Sequence, residues 1–125
     1  MALWGLAFKP NTDDIREAPA LEMIRALLAE GASVSAYDPE AMPNVKKQLG
    51  DSIHYASDQY DALQDADALI IATEWNEFRT PEFEKIKTLL KSKVIFDGRN
   101  VFDLPHMNEM DFHYESVGRA VITSK

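Results

Sequence analysis

Apolar runs and helical repeats of apolar positions alternate along the chain. Residues 2–8 (ALWGLAF) form a nearly continuous apolar run, which predicts a strand covered on both faces. Pro19 suits the first turn of a helix. Leu21, Ile24 and Leu28 recur behind it at helical spacing, and Gly31 is a natural stop. Residues 33–37 (SVSAY) predict the second strand, closed by the turn Asp38-Pro39. A polar helix is predicted around 44–49, a short strand near 53–56, and a helix through Leu63 capped by Asp58 or Asp61. Residues 68–73 (ALIIAT) predict a buried strand. A helix is predicted over 81–90, with Phe83, Ile86, Leu89 and Leu90 on one face, and residues 93–96 (KVIF) predict the fifth strand. The alternation in residues 112–117 suits a sixth strand at a sheet edge.

Strands alternating with helices of about 10–15 residues are the pattern of a parallel sheet with helices on both faces. Right-handed crossovers leave few topologies. The expectation is therefore an α/β, Rossmann-like three-layer fold, its mainly parallel sheet of about six strands ordered 3-2-1-4-5-6. With 125 residues, no repeat and no linker, residues 1–125 are expected to form a single domain. The first strand begins almost at residue 1, which suggests a domain that belongs to something longer.

Composition narrows the possible partners. Thirteen basic residues against 21 acidic ones leave a formal net charge of −8 at pH 7. Such a surface repels nucleic-acid phosphates and anionic lipid, so neither partner is expected, and any phosphate site must be built locally from a few converging cations. The chain has no cysteine, which excludes a disulfide framework, a thiolate zinc site and a thiol nucleophile within it, and which fits a cytoplasmic setting. The apolar run 68–72 is far shorter than the roughly 20 residues of a membrane helix. The N-terminus has no basic segment ahead of its apolar residues and does not read as a secretory signal.

In a sheet of this order, ligands bind beyond the C-terminal strand ends, where the order reverses between strands 1 and 4. Strand 1 is expected to deliver Phe8, Lys9 and Pro10 there, strand 4 Thr73, Glu74, Trp75 and Asn76, and strand 5 Asp97, Gly98, Arg99 and Asn100. Lys9 and Arg99 are the anion-binding candidates, because a guanidinium can engage two phosphate oxygens while an ammonium acts as a point charge. Gly98 is expected to supply the bend that aims Arg99 across the sheet. Taken singly, Lys9 also reads as a solvated surface lysine and Arg99 as the partner of Asp97 or Asp103. Trp75 reads either as a stacking surface or as a buried loop residue.

Asp13, Asp14 and Arg16 read as a self-neutralising turn ahead of the helix rather than as a metal site. His54, His106 and His113 are scattered, and four aspartates over residues 58–67 read as a solvated face. Asp38 stands where a dinucleotide fold places its ribose-binding acid. Gly5 is alone, however, and no GxGxxG opens the helix, so Asp38-Pro39 reads as a turn and NAD binding here is not expected.

The residues just singled out lie in motifs that resemble the C-terminal domain of the UDP-glucose/GDP-mannose dehydrogenase family, and most of all its UDP-glucose dehydrogenases. GLAFKPNTDDIREAPAL (5–21) is similar to that domain's opening signature. AYDPEAM, ATEWNEF, DGRN and YESVGR follow in the family's order, with Asp111 standing where the family commonly has glycine. The resemblance covers essentially the whole chain. It implies a UDP-sugar-binding C-terminal domain, not catalytic alone, within an enzyme that oxidises UDP-glucose to UDP-glucuronate in two hydride transfers. NAD, the nucleophilic cysteine and a helper lysine and asparagine would lie in the preceding part, with no cofactor in this domain. An N-terminal NAD-binding domain would be its partner in a homo-oligomeric enzyme of polysaccharide biosynthesis. By matching position, Phe8 and Lys9 would contact the sugar and diphosphate, and Arg99 the phosphate or sugar side. Thr73, Trp75 and Asp97 are further candidates from the same loops.

Three alternatives stand beside this reading. One is another nucleotide-sugar dehydrogenase, acting on GDP-mannose or UDP-N-acetylmannosamine. The others are a stand-alone receiver-like signalling module and a domain that only packs on its partner half. A receiver should end strand 3 in aspartate and strand 5 in lysine. Here strand 3 is expected to end near Ala56-Ser57 and strand 5 in Asp-Gly-Arg.

Overall fold

The computed structural model describes residues 1–123. Six strands, β1 (Ala2–Trp4), β2 (Ser35–Tyr37), β3 (His54–Tyr55), β4 (Leu69–Ile71), β5 (Val94–Asp97) and β6 (His113–Ser116), form one sheet. Every neighbouring pair is parallel and the order is 3-2-1-4-5-6, as the alternation predicted. A receiver follows a 2-1-3-4-5 order instead, so that alternative is overturned by the strand order alone. Four helices connect the strands: α1 (Pro19–Ala29), α2 (Met42–Leu49), α3 (Phe83–Leu89) and α4 (Leu104–Glu109). Right-handed crossovers running outward in both directions from β1 place them on both faces.

Register sets the site. Trp4 pairs with Tyr37 and Ile71, Ile71 with Asp97, and Asp97 with Ser116. The C-terminal ends of five strands are therefore level, and the segments starting at Gly5, Asp38, Ala72, Gly98 and Val117 all leave from one edge.

β1 is buried through its length and β4 at Leu69 and Ile71 with Ile70 partly buried, which is why their sequences are continuous apolar runs rather than alternations. Trp4 is wholly buried, stacks on Phe78 at 5.0 Å and donates its indole N–H to the Gln59 carbonyl at 2.7 Å. Removing an aromatic surface of 150–250 Å² from water is worth about 4–6 kcal/mol at most. A second aromatic group, Phe83 with Phe102 and Phe112, packs the other side of the sequence order.

Several boundaries differ from expectation. β1 stops at Trp4, four residues before the apolar run does, because Gly5 turns the chain at φ +96°. A Cβ at Gly5 would lie 2.5 Å from the Thr73 Cβ, so this position requires glycine for space as well as for conformation. The helix expected over 81–90 begins at Phe83. The segment expected to be helical through Leu63 is a single 3-10 turn, Asp61–Leu63, with the Asp58 carboxylate accepting the Tyr60 and Asp61 amides. Helix α4 was not foreseen. Its start is set by Asp103, whose carboxylate accepts the His106 amide, and by Pro105 in the first turn.

Candidate functional site

The loop from Gly5 to Ala18 wraps over the level strand ends. Its first turn is organised by Asp38, a fully buried carboxylate just beyond β2. Oδ2 accepts the amides of Leu6 (2.7 Å) and Ala7 (3.0 Å) and the indole N–H of Trp75 (3.1 Å). Oδ1 accepts the amides of Glu40 and Ala41, both at 2.8 Å. Asp38 is thus far more than a turn residue, since it joins the exits of β1, β2 and β4. Loop amides after the first strand are the donors that cradle a pyrophosphate in a dinucleotide site. Here the Leu6 and Ala7 amides are committed to a side chain of the protein. The sequence signal was available, as an aspartate directly after a central strand and facing a glycine turn, but composition does not say which donors it meets.

Further along, Asp14 closes its own turn. Its Oδ1 accepts the Arg16 amide (2.9 Å) and Nε (3.1 Å), and its Oδ2 meets Arg16 Nη2 at 3.0 Å. These bonds from Arg16, side-chain first, hold the Asp14 carboxyl at about 2, below its usual 3.8, with Lys9 a smaller contributor. Asp14 and Arg16 therefore form the expected self-neutralising pair. Asp13 is exposed and its carbonyl accepts the Asn44 side-chain amide at 2.9 Å.

The DGRN loop after β5 is built around Asp97, 2% exposed, which accepts the amides of Arg99, Val101 and Phe102 and the Tyr114 hydroxyl. The left-handed residue in this loop is Asn100 (φ +54°), not Gly98 as expected. Gly98 is needed for closeness instead. Its amide donates to the Ile71 carbonyl at 2.9 Å, and a Cβ there would crowd that oxygen at 3.2 Å.

Arg99 then reaches back across the sheet. Its Nε donates to the Ala72 carbonyl at 3.0 Å and its Nη2 to the Phe8 carbonyl at 3.1 Å, while Nη1 lies 3.7 Å from Glu74 Oε2. The Phe8 carbonyl belongs to the peptide bond into Lys9, so the structure brings the guanidinium beside the Lys9 backbone. The ion pairs with Asp97 or Asp103 do not form; only the Arg99 amide uses Asp97. Two of the five guanidinium N–H groups are spent on carbonyls, Nη1 lies near Glu74, and the side chain is partly exposed. Lys9 is exposed and, among the described residues, has no carboxylate within 4.0 Å.

The remaining candidates divide. Phe8 is 42% exposed, unusual for a phenylalanine, at the same rim. Thr73 is fully buried and donates its hydroxyl to the Ala7 carbonyl at 2.7 Å; Trp75 is 7% exposed and bound to Asp38. Thr73, Trp75 and Asp97 therefore shape the loops, whereas Phe8 and Lys9 are exposed and Arg99 is partly exposed. Two depressions take up the residues on either side of Lys9-Pro10. One, of about 330 Å³, is lined by Phe8, Asp14, Arg16 and Glu17; the other, of about 500 Å³, by Asn11, Thr12, Asp13, Glu40 and Trp75. A third cavity, of about 450 Å³, opens at the opposite, N-terminal ends of the strands, beside Met1, Ser35 and His54, away from these cations. Among the described residues no group of three or more His, Cys, Asp or Glu side chains is placed to hold a metal, and no helix is long and apolar enough to cross a membrane.

The profile of the UDP-glucose/GDP-mannose dehydrogenase family, UDP binding domain, matches residues 2–104. The chain belongs to this family. Among its curated relatives, UDP-glucose 6-dehydrogenase TuaD of Bacillus subtilis is 48% identical over 98% of the chain and 26% of its own length. The UDP-glucose 6-dehydrogenase of Rhizobium meliloti is 44% identical over 95% of the chain and 27% of its length. In three dimensions, a UDP-glucose dehydrogenase from the archaeon Pyrobaculum islandicum superposes with a TM-score of 0.69, at 41% identity over 79% of the chain and 21% of the larger protein. The UDP-D-ManNAc dehydrogenase of Pyrococcus horikoshii gives 0.74 at 30% identity, over 94% and 25%. This UDP-binding domain thus spans about a quarter of the length of the relatives it matches. Asp111, where glycine was expected, sits at φ +61° and pairs with Lys93 at 2.7 Å, so aspartate meets the conformational demand of that turn.

Proposed function

We propose that this domain holds the diphosphate of a UDP-sugar, most readily UDP-glucose, for an NAD-dependent dehydrogenase whose remaining three-quarters carries the nucleophile and the NAD site. The observation that carries the reading is the Arg99 guanidinium, oriented by the Ala72 and Phe8 carbonyls beside Lys9. Two cations at one rim of a chain of net charge −8 are otherwise hard to explain. Carbonyl anchors fix the plane of the guanidinium while leaving N–H groups for a bidentate phosphate contact. The Lys9 ammonium would add a mobile point charge on the second phosphate, and the exposed Phe8 ring a face for the sugar. The chain contains no cysteine, so it would bind and position substrate while the other part of the enzyme performs both hydride transfers. The likeness to a UDP-D-ManNAc dehydrogenase supports a second reading with another UDP-sugar on the same diphosphate contacts.

The test is chemical-shift mapping on the 125-residue chain with UDP. A site completed by another domain should bind weakly here, with Kd near 1 mM, which is only about 4 kcal/mol of standard free energy. Shifts should concentrate at Lys9, residues 73–76 and Arg99; none at saturation, or shifts elsewhere, would refute the site. In the whole enzyme, Arg99→Ala removes a charged contact worth about 1.5–3 kcal/mol and should raise KM for the UDP-sugar by about 10–150-fold. A change in KM for NAD alone would contradict the assignment.

A further inference from the structure

The family match stops at residue 104, yet a connected set of polar contacts runs from beyond it into the Arg99 loop. Asp97 Oδ1 accepts the Arg99 amide at 2.9 Å. Asp97 Oδ2 accepts the Val101 amide (2.6 Å), the Phe102 amide (3.2 Å) and the Tyr114 hydroxyl (2.6 Å), the last coming from β6. Arg119 Nη2 donates to the Tyr114 oxygen at 2.7 Å and its Nε to Ser116 Oγ at 2.9 Å, with the guanidinium 5.5 Å from the Tyr114 ring centre. A second tie lies one residue past Arg99. The Asn100 side chain donates to the Val117 carbonyl (3.0 Å) and accepts the Val117 amide (2.9 Å), pairing like a strip of backbone.

These contacts have one mechanical effect. The two residues flanking the Gly98-Arg99 pair, Asp97 and Asn100, are both held by β6 and the turn that follows it. Tyr114 must keep its proton to donate to Asp97. Burial first, then the hydrogen bond and charge of Asp97, push this phenol well above its ordinary range, so it remains a donor throughout the neutral range.

We propose that Tyr114 and Arg119 are positioning residues for Arg99, holding the DGRN loop so that the guanidinium lies across the Ala72 and Phe8 carbonyls. Tyr114 is fully buried, so it offers no surface at the rim and acts there through Asp97 and the Arg99 loop that Asp97 holds. The identity of the ligand rests on the function proposed above; the positioning itself does not.

The test is Tyr114→Phe in the 125-residue chain, which deletes one hydroxyl and leaves the ring. Two quantities are read by NMR: exchange of the Arg99 Nε–H with solvent in the free protein, and Kd for UDP. The expected result is Nε–H exchange about tenfold faster, with protection of the β1 and β4 amides unchanged, and UDP binding about five- to tenfold weaker. A lower melting temperature with both quantities unchanged would make Tyr114 merely structural and overturn the proposal. If the wild-type chain does not bind UDP, the proposed function fails while Nε–H exchange still decides the positioning. Should Tyr114→Phe not fold, Arg119→Met keeps a stem over the Tyr114 ring and removes only the guanidinium. Unchanged Nε–H exchange in that variant would equally overturn the proposal.

Discussion

Asp38→Asn is the sharpest test of how the loops are held, because it changes one atom and almost no volume. The carboxylate meets five N–H donors, three on Oδ2 and two on Oδ1. An asparagine offers one oxygen. Whichever way its amide turns, the NH₂ faces either three donors or two. In the cheaper orientation it faces Glu40 and Ala41, so two bonds are lost and donor meets donor. Hydrogen bonds to a charged acceptor are worth about 1.5–3 kcal/mol each, giving a loss of about 3–6 kcal/mol. The Glu40 amide lies near solvent and can turn to water, whereas that of Ala41 is buried, so a loss near 3 kcal/mol is expected. Total stability for a chain of this length is roughly 6–19 kcal/mol, so the variant should fold but weakly. Urea unfolding followed by circular dichroism should show an unchanged slope of about 1–3 kcal/mol per molar and a midpoint lowered by about 1–3 M. A loss below about 1 kcal/mol at constant slope would refute the reasoning, since it would mean the loop amides find other acceptors at no cost.

Two further outcomes follow from single positions. Gly5→Ala combines φ +96° with a Cβ placed 2.5 Å from Thr73, so it should cost more than about 3 kcal/mol in the same unfolding assay, well beyond an ordinary glycine-to-alanine exchange. Asp14 has a folded-state pKa of about 2 against a usual 3.8, so its pair with Arg16 contributes stability above pH 4 that is lost as pH falls toward 2. A carboxyl ¹³C titration should place the Asp14 midpoint near 2, and Arg16→Gln should return it toward 3.8; a midpoint already near 3.8 in the wild type would remove the pair from the description.

The layout of the sheet was legible because its central strands are buried on both faces and so appear as unbroken apolar runs, with helical repeats between them. Burial does not mark where a strand stops, so the apolar run predicts β1 through residue 8 although Gly5 ends it at Trp4. The rim carrying Lys9 and Arg99 was legible for a topological reason: strand order fixes which loops share an edge. What sequence could not give was the direction of side chains. Nothing in the local sequence shows that Asp38 collects the Leu6 and Ala7 amides from the first loop, or that Asp97, besides the amides of its own loop, takes the Tyr114 hydroxyl from β6. The bend before Arg99 was assigned to the glycine, yet Asn100 takes the left-handed conformation because its side-chain amide pairs with Val117. Helix α4 is not legible in the sequence because its signal, Asp103 followed by Pro105, is short and its apolar repeat spans barely two turns.

Holding Arg99 by neutral oxygens rather than by carboxylates has an electrical consequence. Peptide carbonyls aim a guanidinium without cancelling it, and Glu74, 3.7 Å away, offsets part of its field. The Arg99 guanidinium thus keeps much of its local charge on a chain whose net charge is −8. Added salt acts on these two fields in opposite senses, screening the distant repulsion that slows a dianion's arrival and weakening the close attraction that retains it. Arrival and departure of an anion at this rim should therefore both quicken as ionic strength rises.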